Sequence, residues 1–147
     1  MQRKKITLIP LQLLQFDEHS CHLLITIKAN GEPCNLLLDT GASKSVFDKK
    51  SALKFTKTKK LKVLDDPAIG LGTQNHEVSE AIFETLQLGS IIIKNRACGV
   101  VDMGHVVKLY KQTVKVTLHG VLGSDILLEY GAVIDYRDLS LKLCKEK

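Results

Sequence analysis

The sequence predicts a single, mainly β domain. Apolar residues recur with a period of two along most of the chain, β-branched residues are frequent in these runs, and Gly or Asn stands at the breaks. The length of 147 residues is that of one domain, so residues 1–147 are treated as one unit. With 44% hydrophobic and 25% charged residues, the composition excludes a disordered or collagen-like chain.

Three strands are predicted in the first part of the chain, at residues 6–14, 23–28 and 34–38. The last two are joined by residues 29–32, where Asn-Gly is typical of a tight turn. The third strand is apolar without interruption, which predicts burial on both of its faces. After Val46-Phe47 the chain becomes polar and rich in lysine, and we expect a connection there.

A second hairpin is predicted for residues 81–88 and 91–97. Gly89-Ser90 joins them as a two-residue turn, and its leading glycine suits the type II′ geometry. Residues 99–103 continue the β pattern. Residues 108–118 alternate only in part, so we interpret them as extended chain or loop.

One short helix is expected near the C-terminus. Ser124 is interpreted as its N-cap, the helix covers residues 125–130, and Gly131 ends it. Asp125 in the first turn complements the helix dipole. Residues 132–143 then form two strands around a polar turn.

An internal repeat relates the two halves of the chain. The order strand, glycine-containing turn, strand and apolar run ending in Gly occurs at residues 23–41 and again at residues 86–123. Such a repeat predicts a β fold with pseudo-twofold symmetry. The halves differ in chemistry, since the first ends in Asp-Thr-Gly and the second in Val-Leu-Gly.

Several classes of protein are disfavoured by the sequence. The apolar runs are far shorter than the ~20 residues of a membrane helix, and no signal-peptide cleavage site follows the N-terminal run, so we expect a protein without a membrane span. The cysteines form no Cys-x-x-Cys pair, which favours reduced thiols, buried as small hydrophobic residues, in the cytoplasm. Folding could bring Cys21, His22 and Cys34 together, but their spacing does not indicate a metal site.

The formal net charge is +5, and lysines are concentrated at positions 54, 57, 59, 60 and 62. No aromatic residue except Phe55 accompanies them, so a solvated face is favoured over a nucleic-acid groove. His76 and His119 are interpreted as surface or capping residues.

Asp39 is the most informative residue, because it places an ionisable group at the end of a buried apolar strand. A carboxylate in that position must be paired, solvated by a structural water or protonated, since burying an isolated charge is costly. Asp-Thr-Gly also occurs in ordinary turns. Three aliphatic residues before it and Ala-Ser after it favour a functional role.

The sequence around Asp39 is similar to that of a known family. The relevant residues are the loop Asp39, Thr40, Gly41, Ala42 and Ser43, the glycine-rich segment Ile69, Gly70, Leu71 and Gly72, and the second-half motif Val121, Leu122 and Gly123. With these in order over about residues 20–143, the chain resembles the retropepsin-like aspartic proteases, which include the retroviral proteases. The resemblance implies a closed, β-barrel-like sheet with one short C-terminal helix and one half-site per chain.

The resemblance also implies a mechanism and a partner. Two copies of Asp39 in a symmetric homodimer would share one proton and activate a water molecule to hydrolyse a peptide bond, without a metal or organic cofactor. Thr40 would tie the two loops together at the dimer axis, Gly41 would leave room for the substrate backbone, and Ala42 and Ser43 would line the cleft. Residues 69–72 would form a flap that closes over an extended peptide substrate.

Two further features follow from the resemblance. The terminal strands, around residues 6–14 and 139–143, would join across the dimer interface. The chain also departs from the retroviral pattern, because Ser124 stands where retroviral enzymes commonly carry Arg, and because residues 44–68 and 103–119 form long connections.

Two other functions remain open at this stage. A non-catalytic dimeric module could use the same cleft to hold a peptide, since fold does not guarantee function. A basic nucleic-acid binder would use the lysine-rich segment between Lys54 and Lys62, and its affinity would fall steeply with salt.

Overall fold

The structure is a computed structural model that describes residues 3–56, 62–63 and 78–146. Within these ranges the chain forms eleven strands and three helices. In chain order they are β1 (Lys4–Pro10), β2 (Gln12–Gln15), β3 (Cys21–Ala29), β4 (Glu32–Leu38), β5 (Val46–Asp48), α1 (Lys49–Phe55), β6 (Lys62–Val63), β7 (Ser79–Leu88), β8 (Ile91–Val101), α2 (Gly104–Val114), β9 (Gly120–Leu122), α3 (Ser124–Glu129), β10 (Val133–Asp135) and β11 (Ser140–Glu146). The predicted mainly β class is confirmed.

Six strands form a closed barrel in the order β3-β4-β9-β5-β8-β7, because β7 also pairs with β3. β2 and β6 extend this sheet at β3 and β7. The barrel interior is filled by fully buried apolar side chains, and the Phe47 and Phe83 rings stack with their centroids 4.2 Å apart. The closed, barrel-like sheet that the sequence predicts is therefore present.

The barrel has an internal twofold relation that agrees with the predicted repeat. In this relation β3, β4, β5 and α1 correspond to β7, β8, β9 and α3, in that order. The β3–β4 hairpin thus corresponds to the β7–β8 hairpin. The same exchange maps the parallel β4–β9 pair onto the parallel β8–β5 pair, and the β5–β9 and β3–β7 pairs onto themselves. Each half therefore supplies a strand to the other half.

The turns of both hairpins are as the sequence predicts. Asn30 and Gly31, between β3 and β4, both have positive φ angles, of 48° and 84°. Gly89 begins the two-residue turn between β7 and β8 with a φ angle of 61°. These are the backbone conformations that Asn-Gly and a leading glycine tolerate best.

A second, three-stranded sheet has the order β1-β11-β10. The single strand expected over residues 6–14 is wrong: it divides at Leu11 into β1 and β2, which belong to different sheets. Pro10 has no N–H with which to continue the ladder, and the Leu11 N–H donates instead to the Leu139 carbonyl, 2.8 Å away. β11 pairs with β1 along its whole length and with β10 only at Ser140–Lys142, so the ladder on the β10 side stops before its C-terminal residues.

The expectation of a single helix is also wrong, since α1 and α2 accompany α3. The lysine-rich connection begins with α1, which buries Ser51, Ala52 and Phe55. The stretch interpreted as extended chain contains most of α2, followed by an irregular segment in which Val116 and Leu118 are buried. α2 is stabilised by packing of one apolar face. Four residues at helical spacing contact the same hydrophobic cluster: Met103, Val107, Tyr110 and Val114.

The capping of α3 differs from the prediction. Gly123 is the N-cap and makes no side-chain capping bond, and Ser124 is the first helical residue. Gly131, with a φ angle of 52°, follows the helix as predicted. In the part of the chain that the structure describes, no helix is long and apolar enough to cross a membrane.

We predict that Gly120→Ala destabilises the barrel by about 3 kcal/mol, because overpacking against backbone cannot relax locally. A Cβ at Gly120 would lie 2.3 Å from the Val46 carbonyl oxygen and 3.0 Å from the Phe47 Cα, so β9 and β5 would have to separate. Urea unfolding monitored by circular dichroism measures the loss.

Gly131→Ala is the matched control for this substitution. It adds a Cβ that meets nothing within 4 Å, so it should cost only the ~1 kcal/mol of a left-handed alanine. Equal losses in the two variants would contradict the close β5–β9 contact.

Candidate active site

The parallel pairing of β4 with β9 brings the two sequence motifs together. Leu38 lies opposite Leu122 in this ladder, and the Asp39 N–H donates to the Leu122 carbonyl at 3.0 Å. The loop that follows β4 therefore lies beside the loop that follows β9. Residues more than 80 positions apart in sequence become neighbours at the ends of two barrel strands.

The loop after β4 folds as a tight turn around Asp39. The Gly41 N–H donates to the Asp39 Oδ1 atom at 2.9 Å, and the Ala42 N–H donates to the Asp39 carbonyl at 3.2 Å. These bonds fix the backbone of the loop and the orientation of the Asp39 carboxylate. The other oxygen of this carboxylate, Oδ2, has no hydrogen-bond partner among the described residues.

Asp39 is exposed in the single chain, so of the conditions that the sequence left open for its carboxylate (pairing, solvation or protonation) contact with solvent is available. The strand before it does have two buried faces: Leu38 packs against the main core, and Leu37 packs against a separate cluster beneath α2. The strand ends at Leu38, and the turn carries the next residue into solvent. A solvated carboxylate requires no compensating charge.

Gly123 is required by the close approach of the first loop. A Cβ at this position would lie 2.7 Å from the Ala42 carbonyl oxygen and 2.8 Å from that of Lys44. The next N–H, of Ser124, donates to the same Ala42 carbonyl at 2.7 Å. The glycine of the second motif thus lets the first loop lie directly on the start of α3.

Ser45 and Asp125 connect the same two segments through side chains. The buried Ser45 hydroxyl donates to Asp125 Oδ1 at 2.8 Å and accepts from the Gly123 N–H at 2.9 Å, and the Ser45 N–H also donates to Asp125 Oδ1, at 3.0 Å. The sequence predicts no role for Ser45 and assigns Asp125 only to the helix dipole. No local signal connects the two residues, which lie 80 positions apart.

A cleft of about 240 Å³ lies next to Asp39. It is lined by residues of β3, of the end of β4 and the loop after it, and of the chain around β10. The lining residues include Cys21, His22, Asp39, Thr40, Ile134 and Tyr136. Ala42 and Ser43, which the resemblance assigns to the cleft wall, are not among them; Ala42 is half-buried and Ser43 is exposed.

α2 contributes an aromatic group behind this cleft. The buried Tyr110 hydroxyl is hydrogen-bonded to His22 Nδ1, and the Phe16 ring lies edge-on to both rings, with centroid distances of 5.1 Å to His22 and 5.3 Å to Tyr110. Burial raises the pKa of Tyr110, and the negative charge of Asp39 raises it further. The phenol is therefore neutral and keeps its O–H.

The other predicted sites have different outcomes. The flap residues Ile69 to Gly72, and His76, lie outside the described residues. Cys34 and Cys98 are buried as predicted, whereas Cys21 is exposed and Cys144 is half-buried. Burial raises the pKa of Cys34, and burial and the charge of Asp125 raise that of Cys98 to about 12. Among the described residues there is no group of three or more His, Cys, Asp or Glu side chains that could hold a metal ion.

His119 is neither a surface nor a capping residue. Its side-chain Nδ1 accepts a hydrogen bond from the Asn35 backbone N–H at 2.9 Å, and its backbone N–H donates to the Asn35 carbonyl at 2.8 Å. Burial and the nearby charge of Lys54 lower the pKa of His119, although Asp48 acts in the opposite direction. A neutral imidazole thus joins β4 to the segment just before β9.

Comparisons with known proteins agree with this architecture. The profile of a family described as "Aspartyl protease" matches residues 25–126. A retropepsin-like aspartic protease from Rickettsia conorii superposes with a TM-score of 0.60 at 17% identity, covering 100% of this chain and 96% of that one. The retroviral protease-like domain of Ddi1 from Leishmania major gives a TM-score of 0.60 at 17% identity, covering 83% and 87%.

The EIAV protease in complex with the inhibitor HBY-793 gives a TM-score of 0.55 at 23% identity, covering 82% of this chain and 98% of that one. At these identities the structural matches establish the fold, and the predicted retropepsin-like fold is confirmed. No curated protein matches the sequence significantly.

We predict that Ser45→Ala lowers the free energy of unfolding by about 1–3 kcal/mol, because it leaves the Gly123 N–H without its acceptor and removes one of the two Ser45 donors to Asp125 Oδ1. Urea titration gives the value. Ser43→Ala, a nearby exposed serine, should change stability by less than about 0.5 kcal/mol. Similar losses for both serines would contradict a structural role specific to Ser45.

We also predict that His119 makes stability depend on pH in the mildly acidic range. Its pKa is lowered on folding from an ordinary value near 6.5, so the unfolded chain binds the proton more readily. The stabilisation is complete above pH ~6.5 and is lost as pH falls through the lowered pKa, when the imidazole stops accepting from Asn35. The unfolding midpoints of wild type and His119→Gln, each plotted against pH, should differ above that range and approach one another below it. Plots that stay parallel would contradict the prediction.

Proposed function

Because the chain belongs to the aspartyl protease family, we propose that it is an aspartic-type endopeptidase, active as a symmetric homodimer with one Asp39 from each chain. The observation that carries the proposal is the position of Asp39, exposed on a rigid loop at the edge of a cleft. Among the described residues that line this cleft, Asp39 supplies the only carboxylate, so one chain offers half of a two-carboxylate site.

The proposed chemistry follows from bringing two such carboxyls together. At a separation of about 3 Å they cannot both ionise, and they share one proton, as the aspartic proteases in general do. The ionised Asp39 takes a proton from a water molecule as its oxygen attacks the scissile carbonyl carbon, and the protonated Asp39 donates to the carbonyl oxygen. Proton transfer to the amide nitrogen then allows the C–N bond to break, giving a carboxylic acid and an amine.

The second copy of the chain is proposed to add at β10. This strand is one of the two edges of the three-stranded sheet, and Val133 in it and Tyr136 just after it are 51% and 64% exposed in the single chain. Ile134 and Tyr136 also line the cleft beside Asp39. An unpaired strand edge with apolar side chains, adjacent to the half-site, suits an isologous contact that would bring the two Asp39 loops together.

The substrate is proposed to be an extended peptide, bound through its main chain like an added strand. In this proposal residues 69–72 close over it as a flap, the Thr40 hydroxyls link the two loops at the dimer axis, and Gly41 leaves room for the substrate backbone. Water and two carboxyls supply the chemistry, so no cofactor is included. The cytoplasm remains the proposed location, on the spacing of the cysteines alone.

We predict that Asp39→Asn lowers kcat/KM for peptide cleavage by at least about 10³-fold while peptide binding persists, because the amide can neither accept nor share the catalytic proton. Products from a diverse peptide pool, identified by mass spectrometry at pH 4 to 7, measure the loss. Glu84→Gln, which changes an exposed carboxylate on β7, is the control and should cleave as wild type does.

Mixing the chains tests the shared site. At fixed total protein, equal parts of wild type and Asp39→Asn that have exchanged subunits should keep about a quarter of the activity, because only that fraction of dimers holds two Asp39 residues. About half would remain if each chain carried a complete site. Binding of peptides without any Asp39-dependent cleavage would favour the non-catalytic module instead.

A further inference from the structure

The cleft beside Asp39 contains one imidazole, that of His22. Among the described residues that line it there is no lysine or arginine, and its other ionisable side chains are those of Cys21, Asp39 and Tyr136. A neutral imidazole carries one N–H donor. His22 is exposed and lies on β3, so it is accessible to a peptide that enters the cleft.

His22 is also held in place, unlike the hydroxyl-bearing side chains of the cleft. Its Nδ1 atom is bonded to the Tyr110 hydroxyl, and Phe16 packs edge-on against the ring. In contrast, the hydroxyls of Thr40 and Tyr136 have no hydrogen-bond partner within the part of the chain that the structure describes. A group fixed before binding loses less entropy when it binds a ligand.

Tyr110 also determines which ring nitrogen carries the proton. Tyr110 is buried, and His22 is the only hydrogen-bond partner of its hydroxyl among the described residues. If Tyr110 donates to Nδ1, the buried O–H is satisfied, and the neutral imidazole must carry its proton on Nε2. The remaining N–H of an exposed ring is then available to a ligand in the cleft.

From this arrangement we infer that His22, positioned by Tyr110, is a specificity-determining residue that selects substrates with a hydrogen-bond-accepting side chain beside the scissile bond. The inference rests on the proposed function. Near neutral pH the preferred side chain is an uncharged acceptor such as Gln or Asn, because the catalytic pair carries a negative charge that disfavours a carboxylate.

The test uses one cleaved peptide in three versions that carry Leu, Gln or Glu at each position flanking the scissile bond. At one position, the wild-type protein should prefer Gln to Leu by about three- to ten-fold in kcat/KM at pH 7.5, which is the range of one net hydrogen bond. Glu should be cleaved less well than Gln, because the catalytic pair carries a negative charge. These preferences are measured on the wild-type dimer, so they do not depend on any variant folding.

Three variants separate the contributions. His22→Leu should lose the preference for Gln. His22→Gln keeps an N–H donor, so it should keep the preference. Tyr110→Phe leaves the neutral ring free to carry its proton on either nitrogen, so it should weaken the preference without abolishing cleavage.

A purely structural role for Tyr110 would lower cleavage of all three peptides equally and leave their ratios unchanged. If His22→Leu cleaves the three peptides in the same ratios as wild type, the inference is overturned, whereas the proposed protease activity stands. To separate the two failures, binding of the same peptides to Asp39→Asn is measured by fluorescence anisotropy. In Asp39→Asn the catalytic charge is absent, so the Gln and Glu peptides should both bind more tightly than the Leu peptide. This preference should be smaller in the double variant that also carries His22→Leu.

If this preference in binding appears but wild type cleaves nothing, the proposed function fails and the assignment of His22 stands. If no peptide of the pool binds or is cleaved, both fail.

Discussion

The parallel pairing of β4 with β9 is the contact on which the candidate site depends. Each strand ends at the same level of the barrel, so the loops after Leu38 and Leu122 emerge side by side. The bond from the Asp39 N–H to the Leu122 carbonyl continues this ladder into the site. A one-residue slip would turn Leu36 and Leu38 away from the core, and core packing therefore fixes the position of Asp39 as well.

Two aspartates near this junction have opposite roles. Asp125 is occupied by the N–H and hydroxyl of Ser45, and it secures the loop to α3. Asp39 uses one carboxylate oxygen for the Gly41 N–H and otherwise faces solvent. Structural bonding is thus assigned to one carboxylate, and the other remains available for chemistry. Backbone bonds and a buried hydroxyl make the loop rigid without using the group that would react.

Much of the barrel could be predicted from local sequence because its signals are local. Asn30-Gly31 and Gly89-Ser90 specify their turns by backbone conformation, and alternation of apolar residues specifies the strands beside them. α2 could not be recognised in this way. Its polar face is long, and its apolar contacts are made with a cluster assembled from β2, β3 and the segment before β9.

The bonds that complete the site have no local signal at all. Ser45 and Asp125 are separated by 80 positions, and His22 and Tyr110 by 88. Nothing in either sequence neighbourhood indicates the partner, because only the closed barrel brings them together. The exposure of Asp39 has no local signal for a related reason: the buried strand before it is local, whereas the direction of the turn depends on Gly123 beneath it.

The exchange of strands between the two halves has a consequence for how the chain folds. β5 depends on β8, and β4 depends on β9, so neither half can complete its own sheet. Contacts across such long stretches of chain pay a large loop-closure entropy before they gain energy, which makes folding slow compared with that of helical domains. Until Gly120 to Leu122 pairs with it, β4 has one unpaired edge. Unpaired strand edges promote aggregation during folding, so closure of the barrel also removes this hazard.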